Sequence, residues 1–147
     1  MEKLYKTGIN MYAPGTYKED CVFCQKYLDA EFDVIDDCSG WIMVKDKYPV
    51  SPGHLLLITT QHYEDYFETY IEVQKGLRHM LQLAYNYIDK EYPKSTGINI
   101  GFNCGKDAGQ TVMHTHVHVI PRYESDCLDP TGGVRNVIPG KGNYKLI

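Results

Sequence analysis

An α+β fold, built as a five-stranded antiparallel sheet with one long helix and a short N-terminal helix, is what this chain of 147 residues predicts. Three observations carry that prediction. Four short stretches, WIMVKD, HLLLITT, INIGFNC and TVMHTHVHVIP, are rich in β-branched residues and short enough for strands, and residues 31–37 ahead of them are also strand-like. Between Tyr63 and Tyr92 the period changes, because Tyr70, Val73, Leu77, Met80, Leu81, Ala84 and Ile88 recur at steps of three and four, as on an amphipathic helix. No repeat, linker or shift in composition divides the chain, so residues 1–147 are expected to form one domain.

Taken in order, residues 1–19 carry Gly8, Pro14 and Gly15 and read as a weakly ordered arm. The segment 31–37 and WIMVKD form a hairpin about the Ser39-Gly40 turn. KYPVSPG is a Pro/Gly connection, and HLLLITT is a third strand, antiparallel to the second. Pro93 and Gly97 end the helix. INIGFNC is the fourth strand, GKDAGQ a glycine-containing loop and TVMHTHVHVIP the fifth strand, the five connected as a meander with the helix against one face. The tail, residues 123–147, is expected to be mostly irregular, with VRNVI as a short segment that contacts a partner chain.

Composition excludes several classes of function. No apolar run approaches the roughly 20 residues that cross a bilayer, and MEKLYKTGINMYAPG lacks the apolar core of a secretory signal. A cytoplasmic protein without a membrane role is expected. A net charge of −4, with scattered lysines and arginines, gives no general attraction for nucleic acid. Five cysteines are an odd number for a disulfide framework, and Cys38, Cys104 and Cys127 have no spacing that implies a site. His79 reads as a partly covered helix-face side chain.

The run from Gly109 to Arg122, GQTVMHTHVHVIPR, holds three of the six histidines. On a strand, His114, His116 and His118 share one face while Thr115, Val117 and Val119 share the other. The apolar set can pack on the helix while the imidazoles look into one open site. Two chemistries use such a row: a catalytic metal held by three imidazoles, or a histidine nucleophile whose second ring nitrogen is fixed by a hydrogen bond. The loop GKDAGQT favours the second. Its glycines let backbone N–H groups approach a phosphate, and Gln110 and Thr111 add neutral donors.

HTHVHVI resembles the motif of the histidine triad (HIT) superfamily, and AGQTVMHTHVHVIPR is similar to the fragile-histidine-triad branch that cleaves diadenosine polyphosphates. The likeness extends to DKYPVSPGHLLLI and NCGKDAGQ, about Cys21 to Arg122 in all. It implies that His116 attacks the α-phosphorus of a nucleotide, giving a nucleotidyl-histidine that water hydrolyses, with no catalytic cofactor. It implies too that His118 holds or protonates phosphate oxygens, that His54 supports the triad from a neighbouring strand, that Gln110, Thr111 and Asn103 contact the phosphates, and that Asp46 holds the ribose hydroxyls. The expected partners are a purine nucleotide or dinucleotide and a second copy of the chain in a twofold dimer. An adenosine phosphoramidate substrate stands as the alternative, as does a nucleotide-binding sensor with little turnover. Phe23, Trp41 and Ile42 are candidates for the wall of a base pocket.

CVFC has the gap of a zinc knuckle and of a thioredoxin-like redox pair. No strand precedes it, which favours metal. In related proteins with such a pair, a structural zinc takes both cysteines, a histidine just after the third strand and the first triad histidine. Carried over by that resemblance, the ligands are Cys21, Cys24, His62 and His114.

Overall fold

The computed structural model describes residues 17–146. The expected weak order of residues 1–19 therefore falls, for 1–16, outside the described residues. A short helix α1 (Val22–Leu28) leads into β1 (Asp36–Cys38), β2 (Trp41–Lys45) and β3 (Leu55–Thr59), then α2 (Ile71–Glu91), β4 (Gly97–Gly101) and β5 (His116–Arg122). Among the described residues no helix is long and apolar enough to cross a membrane.

The five strands form one antiparallel sheet in the order β1-β2-β3-β5-β4. The expected meander is thus corrected, because β5 inserts between β3 and β4. The reason lies in what each strand can bury. Every second residue of β5 is inaccessible, with Val117 at 0% and Val119 at 1% exposure, so it gains from partners on both edges. β4, GINIG, carries a glycine at each end and leaves Ile100 exposed, which suits an edge.

β2 and β3 are apolar on both faces, and both faces are covered. On one, Trp41, Met43, Leu55, Leu57, Val117 and Val119 meet Leu77, Met80, Ala84 and Ile88 of α2. Trp41 satisfies its indole by donating Nε1–H to the Val73 carbonyl at 2.7 Å. On the other, Ile42, Val44, Leu56 and Ile58 pack with Tyr27, Phe23, Leu28 and Phe32 of α1 and the chain after it. Where α1 reaches β5, Phe23 packs edge to face on His116, and His116 and His118 stay half-buried on that face.

Several elements begin later than their patterns suggest, β5 among them, which starts at His116 and not at Thr111. Residues 63–70 are not α-helical: Asp65 accepts from the Phe67 N–H at 2.8 Å and Thr69 donates its hydroxyl to the Tyr66 carbonyl, which favours a 3-10 turn over Tyr66–Glu68. Tyr70 accordingly leaves the buried stripe and is 70% exposed. In the first strand, Glu31, Phe32 and Asp33 peel away from the ladder and wall a cavity instead.

Gly76 brings α2 against the β1–β2 turn, where an added Cβ would lie 2.5 Å from the Ser39 carbonyl oxygen. Alanine is the better helix former by about 1 kcal/mol, but here backbone must retreat from backbone, and the collision wins. Gly76→Ala is expected to cost about 1–2 kcal/mol net, read as a melting temperature lower by about 3–6 °C. An unchanged melting temperature would contradict this close approach.

The tail is irregular apart from 3-10 turns at Gly133–Val137 and Tyr144–Leu146. It leaves β5 through Arg122, which donates to both Asp126 carboxylate oxygens at 2.7 Å and to Asn99 of β4. In the predicted contact segment VRNVI, Val134, Val137 and Ile138 are exposed.

Candidate active site and metal centre

β5 alternates as the histidine spacing requires, with His116 and His118 half-buried and Val117 and Val119 enclosed in the α2 core. His114 departs from the expectation. Thr115 donates its N–H to the Tyr63 carbonyl at 2.7 Å, and the ladder begins only at His116. His114 keeps to the same side of the sheet but is 1% exposed, shut away from the open site its neighbours share.

His116 donates Nδ1–H to the His114 carbonyl at 2.7 Å. A carbonyl can only accept, so the ring proton is held on Nδ1 and the lone pair sits on Nε2. Burial pushes its pKa below the usual histidine value, only partly opposed by that hydrogen bond, and keeps the ring neutral and nucleophilic.

A second chain of hydrogen bonds orders His118. The Val50 N–H donates to His54 Nδ1 at 3.2 Å, so His54 carries its proton on Nε2 and donates it to His118 Nδ1 at 2.9 Å. His118 is left with a proton on Nε2. Burial, then the neighbouring His116 and His54, lower its pKa against the pull of Asp46; burial likewise lowers His54. His54 is 4% exposed and is placed by the Pro/Gly connection. Ser51 Oγ donates to the Pro121 carbonyl at 2.6 Å, Tyr123 OH donates to the Pro52 carbonyl at 2.7 Å, and Gly53 takes φ +85° flat against the Tyr92 ring.

Asp46 lies beside this chain, with Oδ2 at 3.4 Å from His54 Nε2 and 3.9 Å from His118 Nδ1, while Oδ1 accepts from the Tyr48 N–H at 2.8 Å. The fold therefore brings a carboxylate to the triad, and Asp46, His54 and His118 are close enough together to ligate one cation. Proton counting argues against that use. With Nδ1 occupied by the Val50 N–H, His54 could ligate through Nε2 only as an imidazolate, an uncommon and costly form.

His116, His118 and Asp46 open into a cavity of about 630 Å³. Its apolar wall is Phe23, Phe32, Ile35, Val44 and Leu56, and its polar side is Asp46, Asn103, Thr111, His116 and His118. Two sequence candidates for the wall are corrected: Trp41 and Ile42 are each 0% exposed and belong to the two cores. Gln110 is also placed elsewhere. It is 7% exposed; its Oε1 accepts from the Gly105 N–H at 2.9 Å and its Nε2 donates to the Glu64 and Val112 carbonyls. With its amide engaged by backbone, it braces the glycine loop instead of facing the cavity. Phe32 was missed because its side of the strand-like pattern is not legible once the chain leaves the ladder.

The four predicted metal ligands converge. Cys21 Sγ and Cys24 Sγ lie 3.4 and 3.5 Å from His114 Nδ1, and Cys24 Sγ lies 3.4 Å from His62 Nδ1. Zinc–sulfur and zinc–nitrogen bonds of about 2.3 and 2.0 Å set tetrahedrally give sulfur–nitrogen edges of about 3.5 Å. The donor set fits. His114 also has the required tautomer, since Nε2–H donates to the Thr59 carbonyl at 2.8 Å and turns the Nδ1 lone pair to the sulfurs. Cys21 is the N-cap of α1 and accepts from the Cys24 N–H, and hydrogen bonding from the Cys24 thiol draws the Cys21 pKa down. The four side chains could hold a metal ion.

Residues 30–125 match the sequence model described as the HIT domain. The chain is 38% identical over 126 residues to "Adenylylsulfatase HINT3" of Arabidopsis thaliana, covering 83% of this chain and 62% of that protein. It is 34% identical over 115 residues to a bis(5'-adenosyl)-triphosphatase of Saccharomyces cerevisiae, covering 70% of this chain and 50% of that one. The chain thus spans about half to three fifths of the length of these two relatives. In three dimensions it is similar to a zinc-bound histidine triad family protein from Mycobacterium smegmatis, with TM-score 0.65, 31% identity, and coverage of 75% of this chain and 80% of that chain. Cys21 and Cys24 precede the matched segment, whereas the whole histidine run, His54 and the glycine loop fall inside it. Sheet, triad and sequence match agree, and the chain belongs to the HIT family.

Proposed function

We propose that this chain hydrolyses nucleotides through a nucleotidyl-histidine on His116, with dinucleoside polyphosphates such as diadenosine tetraphosphate as substrates. The observation that carries the reading is the His116 tautomer, with the proton held on Nδ1 by the His114 carbonyl and Nε2 left free on a half-buried ring at the cavity. His116 Nε2 attacks the α-phosphorus, a nitrogen–phosphorus bond forms, and the bridging phosphorus–oxygen bond breaks with its electron pair on the leaving phosphate. The resulting imidazolium keeps Nδ1–H on the His114 carbonyl. Water then displaces His116, and one proton passes to solvent. Asn103 and Thr111 contact the phosphates, Asp46 accepts from the ribose hydroxyls with its remaining lone pairs, and the base rests on the Phe23 and Phe32 wall. Zinc at Cys21, Cys24, His62 and His114 supplies structural cross-linking and takes no part in the steps.

The His54 relay supports anhydrides over phosphoramidates. A neutral His118, hydrogen-bonded from His54 on Nδ1, can donate a hydrogen bond from Nε2 but would become an anion on giving that proton away. A leaving phosphate is stable as an anion and needs no proton. A leaving amine does. The similarity to an adenylylsulfatase and to a bis(5'-adenosyl)-triphosphatase, both named for anhydride substrates, is in keeping with this.

Assays with diadenosine tetraphosphate, diadenosine triphosphate, adenylyl sulfate and an adenosine phosphoramidate test the order. Higher kcat/KM on the phosphoramidate than on all three anhydrides would overturn it, and tight mononucleotide binding with no turnover of any would make the chain a sensor. The pH profile is a separate check. A depressed His116 pKa means that protonation silences the nucleophile only in more acid solution, so kcat/KM is expected to fall on the acid side with a midpoint below about 6.5. For the twofold dimer we propose the β4 edge and the groove it forms with α2, where Tyr85 and Ile100 are exposed.

A further inference from the structure

Phe23 stands between the two cysteines of the metal centre and touches both sites at once. Its ring centroid lies 5.7 Å from that of His114 and 5.3 Å from that of His116, edge to face in each case, and 5.8 Å from that of Phe32. The same side chain lines the cavity into which His116 opens. It therefore meets one metal ligand, the nucleophile and the apolar wall together.

Phe23 is held by the second core and by the cluster of metal ligands together. α1 has 7 residues, too few to be stable by itself. Apart from Tyr27 and the residues packed with it in the second core, its hold on the sheet is made by Cys21 and Cys24 against His62 and His114. Thiol–imidazole hydrogen bonds are weak tethers, whereas four metal bonds fix the N-terminal turn of α1.

We propose that Phe23 is a positioning residue that couples metal occupancy to nucleotide binding. With the four ligands closed on zinc, its ring is set against the base cavity and the His116 imidazole. When the ligands release, α1 loosens and that wall goes with it. The inference rests on the nucleotide reading above and adds regulation of the same site by metal. Coupling of this kind is reciprocal, so a bound nucleotide must tighten metal binding by the factor by which metal tightens nucleotide binding.

The test needs no turnover. Adenosine monophosphate affinity is measured by calorimetry on the zinc-loaded chain, and zinc affinity by competition with a chromophoric chelator, with and without saturating adenosine monophosphate. Wild type should bind zinc about tenfold more tightly with the nucleotide present, Phe23→Ala less than about twofold at nucleotide concentrations that saturate it, and Phe23→Tyr should recover the shift. A coupling carried by global folding alone would survive in Phe23→Ala, and thermal melts of each protein with and without zinc separate that case. The proposal is overturned if the nucleotide leaves the zinc affinity of wild type unchanged, or if Phe23→Ala keeps the full shift. If zinc-loaded wild type binds no adenosine monophosphate at all, the nucleotide reading fails first and the coupling with it.

Discussion

His116→Ala is expected to fold and to lose nucleotide hydrolysis, with kcat lower by about four orders of magnitude or more. Folding should survive because the ring is half-buried at the rim of a cavity and its deletion removes one hydrogen bond, to the His114 carbonyl, worth about 1 kcal/mol. Turnover should not survive. Each tenfold is about 1.4 kcal/mol of barrier, and without Nε2 the two-step path through a nitrogen–phosphorus bond is closed. Intact-mass measurement of wild type quenched during turnover of a slow substrate should find one nucleotidyl group per chain, located on His116 by peptide mapping. Equal activity in the variant, or an adduct on another residue, would remove His116 as nucleophile.

Cys24→Ser is expected to release the metal and lower the melting temperature by about 10 °C or more. Cys24 is 0% exposed, and its sulfur is within 3.5 Å of both ligating imidazoles. Serine keeps the size but offers zinc a poor ligand. The loss is not confined to one bond, because His62 and Cys21 are then left as partly enclosed polar groups around an incomplete site. Metal content by elemental analysis and a calorimetric melt decide the matter. Wild type that carries no zinc when purified with zinc present, or a variant that melts as wild type does, would leave the four side chains a hydrogen-bonded cluster without a structural metal.

Reading the chain residue by residue recovers the strands and the helix where periodicity is strong. The stripe Leu77, Met80, Ala84 and Ile88 is buried as its spacing requires, and β2, β3 and the strand part of the histidine run fall where their patterns place them. Boundaries were less legible. Asp65 and Thr69 hold the chain ahead of α2 in a tighter turn, a side-chain competition that hydrophobic spacing does not register. The order of strands was not legible either, since periodicity says which face a residue takes and nothing about which strand lies alongside.

The site divides in the same way. Alternation in HTHVHVI sends His116 and His118 to one face whatever surrounds them, because backbone geometry makes successive side chains oppose. The CVFC spacing likewise marks a pair of thiols able to share one ion. Three-dimensional packing alone turned His114 inward to the cysteines, folded Gln110 back onto backbone carbonyls, and set Phe23 and Phe32 around the cavity. The proton on His118 was decided there as well, by a Val50 amide that acts through His54, a residue 64 positions earlier in the chain than the ring it orders. Such contacts join groups distant along the chain, and local rules of spacing carry no term for them.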